Sequence, residues 1–122
     1  MGGVVTDGSP GDLDVCSLIT TGRHTGTPHR IEIWFALADV VVYLLSGGGD
    51  RSDWVRNLMI SPQVTLQIGD RRATTTARVV TDPDEDALAR RLVVEKYAPR
   101  YRGDLTEWGR ASLPIAIDWP NG

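Results

Sequence analysis

The sequence is poor in cysteine, in long apolar runs and in excess positive charge, and each shortage excludes a class of protein. Cys16 is the only cysteine among 122 residues, so neither an internal disulfide nor a cysteine-based zinc site can form. The longest apolar stretch, residues 31–45, is interrupted by Glu32 and Asp39 and is too short to span a bilayer. A formal net charge of −3 disfavours general binding to nucleic acids or membrane surfaces. We therefore expect a cytoplasmic protein with no nucleic-acid partner and no membrane insertion.

The chain also lacks the sequence signatures of an enzyme that relies on its own side chains. It contains no Gly-x-Ser-x-Gly elbow, no His-Glu-x-x-His motif and no phosphate loop ending in Gly-Lys-Ser or Gly-Lys-Thr. His24 and His29 have no third ligand at a suitable spacing, whereas a zinc site needs three or four ligands. We predict no metal, and we expect that any redox chemistry comes from a bound organic cofactor.

Apolar periodicity predicts a mostly β domain over residues 13–122, preceded by a flexible tail over residues 1–12. It predicts about six strands and two to three helices, which fit an antiparallel sheet or barrel with flanking helices. The helices are expected after Asp50 and Asp82, each with the aspartate as its N-cap, and a further helical turn around Trp108. The predicted strands cover residues 13–20, 29–37, 40–46, 63–68, 71–80 and 113–119.

Two of these strands carry further expectations. In the strand over residues 29–37, strict alternation separates an inward face from an outward face, and the two faces are Ile31/Ile33/Phe35 and Arg30/Glu32/Trp34. In the strand over residues 40–46, nearly every residue is apolar. We expect its outward side chains to need cover, which makes a homodimer a reasonable prediction.

Positive charge and free backbone N–H groups concentrate in residues 20–30, which read TTGRHTGTPHR. Gly22 and Gly26 permit tight backbone conformations that expose N–H groups. Arg23 and Arg30 supply guanidinium forks that suit phosphate or carboxylate groups. These residues suit an anion-binding loop, but composition alone gives more weight to a plain loop between two strands.

A second candidate is the run Ser46-Gly47-Gly48-Gly49 between a strand and a helix. Glycines at such a turn allow a flat ligand to approach the backbone, and a helix N-terminus attracts negative charge. Asp50 and Asp53 would repel an anion close to that helix start. A flexible turn with no ligand is therefore an equal alternative.

Three segments together resemble the deazaflavin (F420)-dependent nitroreductase-like family. The segments read TTGRHTGTPHRIEIWF, VYLLSGGGDRSDWVRNL and SPQVTLQIGDRRATTTARVV. The resemblance extends from about residue 19 to residue 119. It implies a split β-barrel of the FMN-binding, pyridoxamine-phosphate-oxidase-like type and an actinobacterial-type oxidoreductase. Such an enzyme would transfer a hydride from reduced coenzyme F420 to a quinone, an enone or a nitro compound.

The resemblance also implies roles for individual residues. It assigns binding of the cofactor's phosphate and acidic tail to Arg23, His24, Thr25, His29, Arg30 and Asn57. It assigns contact with the deazaflavin ring to Ser46, Gly47, Gly48 and Trp54. It assigns substrate contact to Trp34, Tyr97 and Tyr101, with both tyrosines as candidate proton donors, and it fixes no catalytic residue.

The chain departs from the family pattern at three positions. His24 stands where lysine is common, Gly47 stands where the nitroreductase branch has lysine, and Leu105 stands where a further tyrosine is expected. These departures keep two alternatives open: an FMN-dependent oxidoreductase of the same fold, and a non-catalytic binder of a flavin, a deazaflavin or another amphipathic ligand.

Overall fold

A computed structural model describes residues 10–120, which form one seven-stranded sheet and three α-helices. The strands are β1 (Cys16–Thr21), β2 (Pro28–Ile33), β3 (Ala36–Ala38), β4 (Val41–Ser46), β5 (Gln63–Ile68), β6 (Arg71–Val79) and β7 (Leu113–Asp118). The helices are α1 (Asp53–Ile60), α2 (Pro83–Tyr97) and α3 (Thr106–Ala111). Single 3-10 turns occupy Pro10–Asp12, Gly49–Arg51 and Ala98–Arg100. The predicted mostly β domain with flanking helices is confirmed.

The sheet runs in the order β2-β1-β5-β6-β7-β4-β3, and all neighbouring strands are antiparallel. The long strand β6 serves both halves, since residues 71–76 pair with β5 and residues 77–79 pair with β7. Because the two ends of β6 pair with different strands, the sheet bends along this strand and curls into a half-barrel. The second and third strands of the chain therefore lie at opposite edges of the sheet.

The predicted single strand over residues 29–37 is in fact two strands, because the chain changes partners in its middle. β2 pairs with β1, whereas β3 pairs with β4. At the crossing, the Tyr97 hydroxyl accepts a hydrogen bond from the Phe35 N–H (3.0 Å), and Lys96 Nζ donates to the Phe35 carbonyl (2.9 Å). These side chains satisfy the backbone groups of Phe35 that no neighbouring strand satisfies. The alternation of apolar and polar residues in the sequence cannot reveal hydrogen bonds of this kind.

Two apolar clusters hold the fold. The barrel core includes Leu18, Phe35, Val42, Leu44, Leu66, Ile115 and Ile117, and the α2 core includes Tyr43, Leu45, Val80, Val93, Tyr97 and Leu105. The predicted faces of residues 30–35 hold, because Ile31 and Ile33 pack with Phe35 on the barrel core while Trp34 packs on the α2 core. Each fully buried side chain of this size contributes about 1.5–3 kcal/mol relative to exposure.

The apolar strand β4 does not need a second protein molecule to cover it. Val42 and Leu44 point into the barrel core, and Tyr43 and Leu45 point into the α2 core. Only Val40, just before the strand, remains 40% exposed. The sequence argument for a homodimer from this strand is therefore wrong, since α2 of the same chain covers its outer face.

Of the two predicted helix N-caps, the one at Asp50 is wrong and the one at Asp82 is confirmed. Asp50 lies in the 3-10 turn, and α1 begins later, with Ser52 at its N-cap position. The Ser52 hydroxyl is 2.9 Å from the Ser46 hydroxyl and does not cap the helix. In α2, Asp82 accepts a hydrogen bond from the Glu85 N–H at 2.9 Å, as predicted. The helical turn predicted around Trp108 is α3.

Three further expectations concern the interior and the chain start. Burial raises the pKa of the Cys16 thiol to about 12, so this cysteine is unreactive at neutral pH. Within the described residues, no helix has the length and apolar character needed to span a membrane. Of the tail predicted over residues 1–12, residues 1–9 lie outside the described part.

Candidate functional site

A cavity of about 520 Å³ lies between the loop after β1, the start of β2 and one face of α1. Of the ten residues predicted to bind a cofactor, seven line it: Arg23, His24, Thr25, His29, Arg30, Trp54 and Asn57. Helical periodicity explains how α1 contributes, because positions 53, 54 and 57 lie on one side of the helix. The structure therefore gathers the two arginines, the two histidines and the α1 residues around one space. Trp54, which the resemblance places beside the ring, lies here with the residues expected at the tail.

The loop over residues 22–27 is a closed turn. The Gly22 N–H donates to the Thr27 carbonyl at 2.7 Å, and the Gly26 N–H donates to the Gly22 carbonyl at 2.8 Å. Gly26 has φ +73°, a conformation that favours glycine. A Cβ at Gly22 would stand 2.6 Å from His29 Nε2. Gly26 therefore suits the turn, whereas a side chain at Gly22 would require the exposed His29 ring to move.

Asn57 organises the cavity from its buried position on α1, where only 4% of it is exposed. Its Oδ1 accepts hydrogen bonds from the backbone N–H of Arg23 (3.1 Å) and from Arg23 Nη1 (2.9 Å). Its Nδ2 donates to the hydroxyl of Thr20 at 3.2 Å. A single amide thus joins α1, β1 and the loop, and this network shapes the cavity independently of a ligand.

The charges around the cavity are mixed, with positive charge in excess. Arg23 Nη2 lies 3.1 Å from Asp53 Oδ1, while Arg30 Nη2 donates to the Ser17 hydroxyl at 2.9 Å. With neutral histidines, the cavity residues Arg23, Arg30 and Asp53 sum to a formal charge of +1. Guanidinium groups and hydroxyls in this arrangement suit a phosphate or carboxylate ligand. The free backbone N–H groups expected in this loop are not found at Gly22, Arg23, Gly26 and Thr27, whose N–H groups donate within the protein.

The remaining three predicted cofactor residues, Ser46, Gly47 and Gly48, lie outside this cavity, at the end of β4. The Ser46 hydroxyl donates to the Gly49 carbonyl at 2.9 Å. A Cβ at Gly47 would stand 3.0 Å from Trp108 Nε1, and a Cβ at Gly48 would stand 2.5 Å from the Ser52 hydroxyl. The exposed glycine turn is therefore held between Trp108 and the residues that lead into α1.

The three predicted substrate residues meet Trp108 in an aromatic cluster, which we define as Trp34, Tyr97, Tyr101 and Trp108. Trp34 stacks on Tyr97 with ring centroids 4.3 Å apart and planes 4° apart. Tyr101 and Trp108 meet Trp34 edge-on at 5.9 Å and 5.6 Å. Since Trp108 also lies against Gly47, it links the aromatic cluster to the glycine turn.

The two candidate proton donors differ in their surroundings. The Tyr97 hydroxyl is buried, donates to the Asp14 carbonyl at 2.6 Å and accepts from the Phe35 N–H. Burial raises its pKa. Both hydrogen bonds tie the Tyr97 hydroxyl to the backbone, and its role as a proton donor stays a prediction. Tyr101 is 48% exposed and remains the only one of the two that reaches solvent.

Sequence reasoning missed two residues that the structure places at these sites. The sequence presents Asp53 only as a charge that would repel an anion, yet its carboxylate pairs with Arg23. Its position four residues before Asn57 would have been a usable signal, because residues at that spacing share a helix face. Trp108 was interpreted only as part of a helical turn. Its contact with Gly47 joins distant parts of the chain and leaves no local signal.

Comparison with known proteins agrees with this geometry. Residues 2–120 match the sequence model of a family described as F420H(2)-dependent quinone reductase. F420H(2)-dependent quinone reductases from two Mycobacterium tuberculosis strains are each 34% identical over 112 residues, which cover 88% of this chain and 73% of those proteins.

Solved structures agree on the fold. An F420-H2 dependent reductase has a TM-score of 0.67 and 23% identity, with 86% of this chain and 93% of that chain covered. A protein from Listeria innocua, assigned provisionally as a pyridoxamine 5′-phosphate oxidase, has a TM-score of 0.64 and 15% identity, with 88% and 85% covered. A protein described as a domain-swapped dimer has a TM-score of 0.70 and 23% identity, with 88% and 81% covered. The predicted split-barrel class is confirmed.

Proposed function

Because this chain belongs to the F420H(2)-dependent quinone reductase family, we propose that the cavity beside α1 holds the phosphate and acidic tail of coenzyme F420. The family makes the chain an F420-dependent oxidoreductase, so the predicted activity class and cofactor are confirmed. Family membership also decides against the two alternatives, an FMN enzyme and a non-catalytic binder. The roles of individual residues are the part that we propose.

One observation carries this assignment: seven of the ten predicted cofactor residues line a single cavity of about 520 Å³. The cavity offers two guanidinium groups, and its loop is held in shape by Asn57. A preorganised donor set binds an anion without first losing loop entropy. The residues present therefore fit the anionic end of the coenzyme.

We place the planar ring system of the coenzyme along the turn of Ser46, Gly47 and Gly48. This turn is exposed at Gly47 and Gly48, so a flat ring can approach the backbone closely. When bound in its reduced form, the deazaflavin supplies a hydride to the acceptor. The chain's own residues bind the tail, orient the ring and exclude water from the reacting face.

We place the acceptor against the aromatic cluster, beside Trp34 and Trp108. Aromatic side chains bind planar ligands by stacking and edge contacts. Tyr101, which reaches solvent, or water itself would deliver the proton that accompanies the hydride. Tyr97 stacks on Trp34 and holds its ring in position. In this proposal the Tyr97 hydroxyl does not transfer a proton.

A quinone is the acceptor class that we favour over an enone or a nitro compound. The family and the curated relatives are described as quinone reductases. Two departures from the nitroreductase pattern have structural counterparts, because Trp108 occupies the space beside Gly47 and Leu105 is buried in the α2 core. Neither position presents the lysine or tyrosine that the nitroreductase branch would offer.

A homodimer remains part of the proposal, supported by the structural neighbour described as a domain-swapped dimer. Its support does not come from β4, whose side chains are covered within the chain. The cytoplasmic location predicted from the sequence stays a prediction.

Titration of the purified protein with coenzyme F420 and with FMN tests the proposal. We expect micromolar binding of F420, binding of FMN at least about tenfold weaker, and rapid oxidation of bound reduced coenzyme by menadione in a single turnover. Absence of F420 binding would overturn the proposed site. Binding without oxidation by menadione would overturn the proposed acceptor class.

A further inference from the structure

We propose that Asp53 is a built-in competitor of the ligand for Arg23 and thereby sets the affinity of the cavity for an anionic tail. The inference rests on the proposed function, because it concerns the same cavity. It assigns to Asp53 a role that neither a helix cap nor a core contact describes.

The contact itself is specific. Arg23 Nη2 donates to Asp53 Oδ1 at 3.1 Å, and Arg23 Nη1 contacts the Asp53 carbonyl at 3.4 Å. The Arg23 side chain is only 19% exposed, whereas the Asp53 side chain is 86% exposed. The arginine is thus fixed in the cavity wall, and the carboxylate covers it from the solvent side.

The two contacts of Arg23 have different strengths and different consequences. Its hydrogen bond to the buried Asn57 Oδ1 (2.9 Å) anchors the guanidinium in the wall. Its pairing with Asp53 is a surface ion pair, which contributes little and breaks easily. An incoming phosphate or carboxylate can therefore displace Asp53 while Arg23 keeps its position.

The other charged groups facing the cavity cannot replace this arrangement. Arg30, His24 and His29 are exposed, and within residues 10–120 Arg30 donates to the Ser17 hydroxyl and pairs with no carboxylate. Asp53 is the only acidic side chain among the described residues that line the cavity. Its removal therefore frees one cation and deletes one repulsive charge from the binding space.

The alternative role for Asp53 is stabilisation of α1 through the helix dipole, since it is the first residue of that helix. Asp84 provides a matched control, because it is an exposed aspartate in the first turn of α2 and lies outside the cavity. Asp53→Asn and Asp84→Asn remove the same charge at comparable helix positions. Only the first should change ligand binding.

The test is fluorescence titration of the full chain with coenzyme F420 and with the corresponding deazaflavin riboside, which lacks the phosphate tail. We expect Asp53→Asn to tighten F420 binding by about three- to tenfold and to leave binding of the riboside unchanged. Asp84→Asn should change neither affinity. With Arg23→Gln in the background, Asp53→Asn should gain less than about twofold.

The outcomes separate this inference from the proposed function. A wild-type chain that binds no F420 would overturn the proposed site itself. A wild-type chain that binds F420, together with an Asp53→Asn variant that binds it equally or more weakly, would overturn only the competitor role. A full gain that persists in the Arg23→Gln background would also overturn it, because Asp53 would then act by general repulsion.

Discussion

The cavity beside α1 and the aromatic cluster beside α2 lie on one sheet, yet different interactions hold them. The cavity is ordered by hydrogen bonds that converge on Asn57 and by the ion pair of Arg23 with Asp53. The aromatic cluster is ordered by ring contacts of Trp34 with Tyr97, Tyr101 and Trp108. One surface is suited to a charged ligand group, and the other is suited to a planar one.

This difference indicates that binding of the coenzyme tail and binding of the acceptor can be separated by mutation. Polar networks lose much of their effect when one partner is removed, because the remaining groups are left buried and unpaired. When a stacked ring is truncated, affinity for a planar ligand falls more gradually, roughly in proportion to the contact area that is lost. Substitutions on the two surfaces should therefore change different measured constants.

The largest expected effect follows from Asn57→Ala, which removes the centre of the cavity network. The Thr20 hydroxyl and the Arg23 N–H lose their partner, so we expect the free energy of unfolding to fall by about 2–3 kcal/mol and F420 binding to weaken by more than about thirtyfold. Urea unfolding and fluorescence titration measure the two effects. Gln63→Ala, which removes an exposed amide outside the cavity, should change neither; equal losses in both variants would contradict the assigned role.

A smaller effect, confined to the other surface, is expected for Trp34→Ala. Loss of the stacked ring should lower kcat/KM for menadione by about tenfold and leave the F420 dissociation constant within about twofold of wild type. Trp54→Ala, which changes the cavity wall, should produce the reverse pattern. If both variants changed the same constant, the two surfaces would not be separate sites.

The next expected effect tests whether the Tyr97 hydroxyl in the aromatic cluster stabilises the fold or takes part in the reaction. Tyr97→Phe removes a hydroxyl that holds the backbone of Phe35 and Asp14, so the free energy of unfolding should fall by about 1–2 kcal/mol. The turnover number should stay within about twofold of wild type, because that hydroxyl bonds to the backbone and does not face the proposed position of the hydride acceptor. A tenfold loss of turnover at unchanged stability would instead make Tyr97 a catalytic proton donor.

The smallest effect is a pH dependence that originates at α2. Arg78 donates two hydrogen bonds of 2.7 Å to Glu85, and this pairing lowers the pKa of Glu85 from 4.5 to about 2. The stabilisation is therefore present above pH 4.5 and is lost as the pH falls towards about 2.

Between about pH 6 and about pH 3, wild type should lose about 1 kcal/mol more unfolding free energy than Glu85→Gln, after allowance for solvent screening. Urea unfolding at about pH 6 and about pH 3 measures the difference. Parallel pH profiles for the two proteins would show that this pair does not stabilise α2.

Much of the fold could be predicted because its signals are local. Alternation located β5 and β7, and Asp82 with Pro83 located the start of α2. The misjudged elements depend on distant contacts. The break between β2 and β3 depends on Tyr97, and the cover over β4 depends on α2.

The candidate site shows the same division. The loop of residues 20–30 was recognisable from its glycines and arginines, and the structure brings it to Trp54 and Asn57. The pairing of Arg23 with Asp53 and the contact of Gly47 with Trp108 were not predicted. These contacts join segments far apart in sequence, so neither composition nor periodicity can predict them.

The central claim, that the cavity beside α1 holds the coenzyme tail, is tested most directly by the indole N–H signals of the four tryptophans in an isotope-labelled sample. Trp54 lines the cavity, whereas Trp119 is buried in the barrel core and serves as an internal reference. We predict that saturating coenzyme F420 shifts the Trp54 signal, that the tail-less deazaflavin riboside leaves it in place, and that neither moves Trp119. An unmoved Trp54 signal at saturation with F420, or an equal shift with both compounds, would contradict the claim.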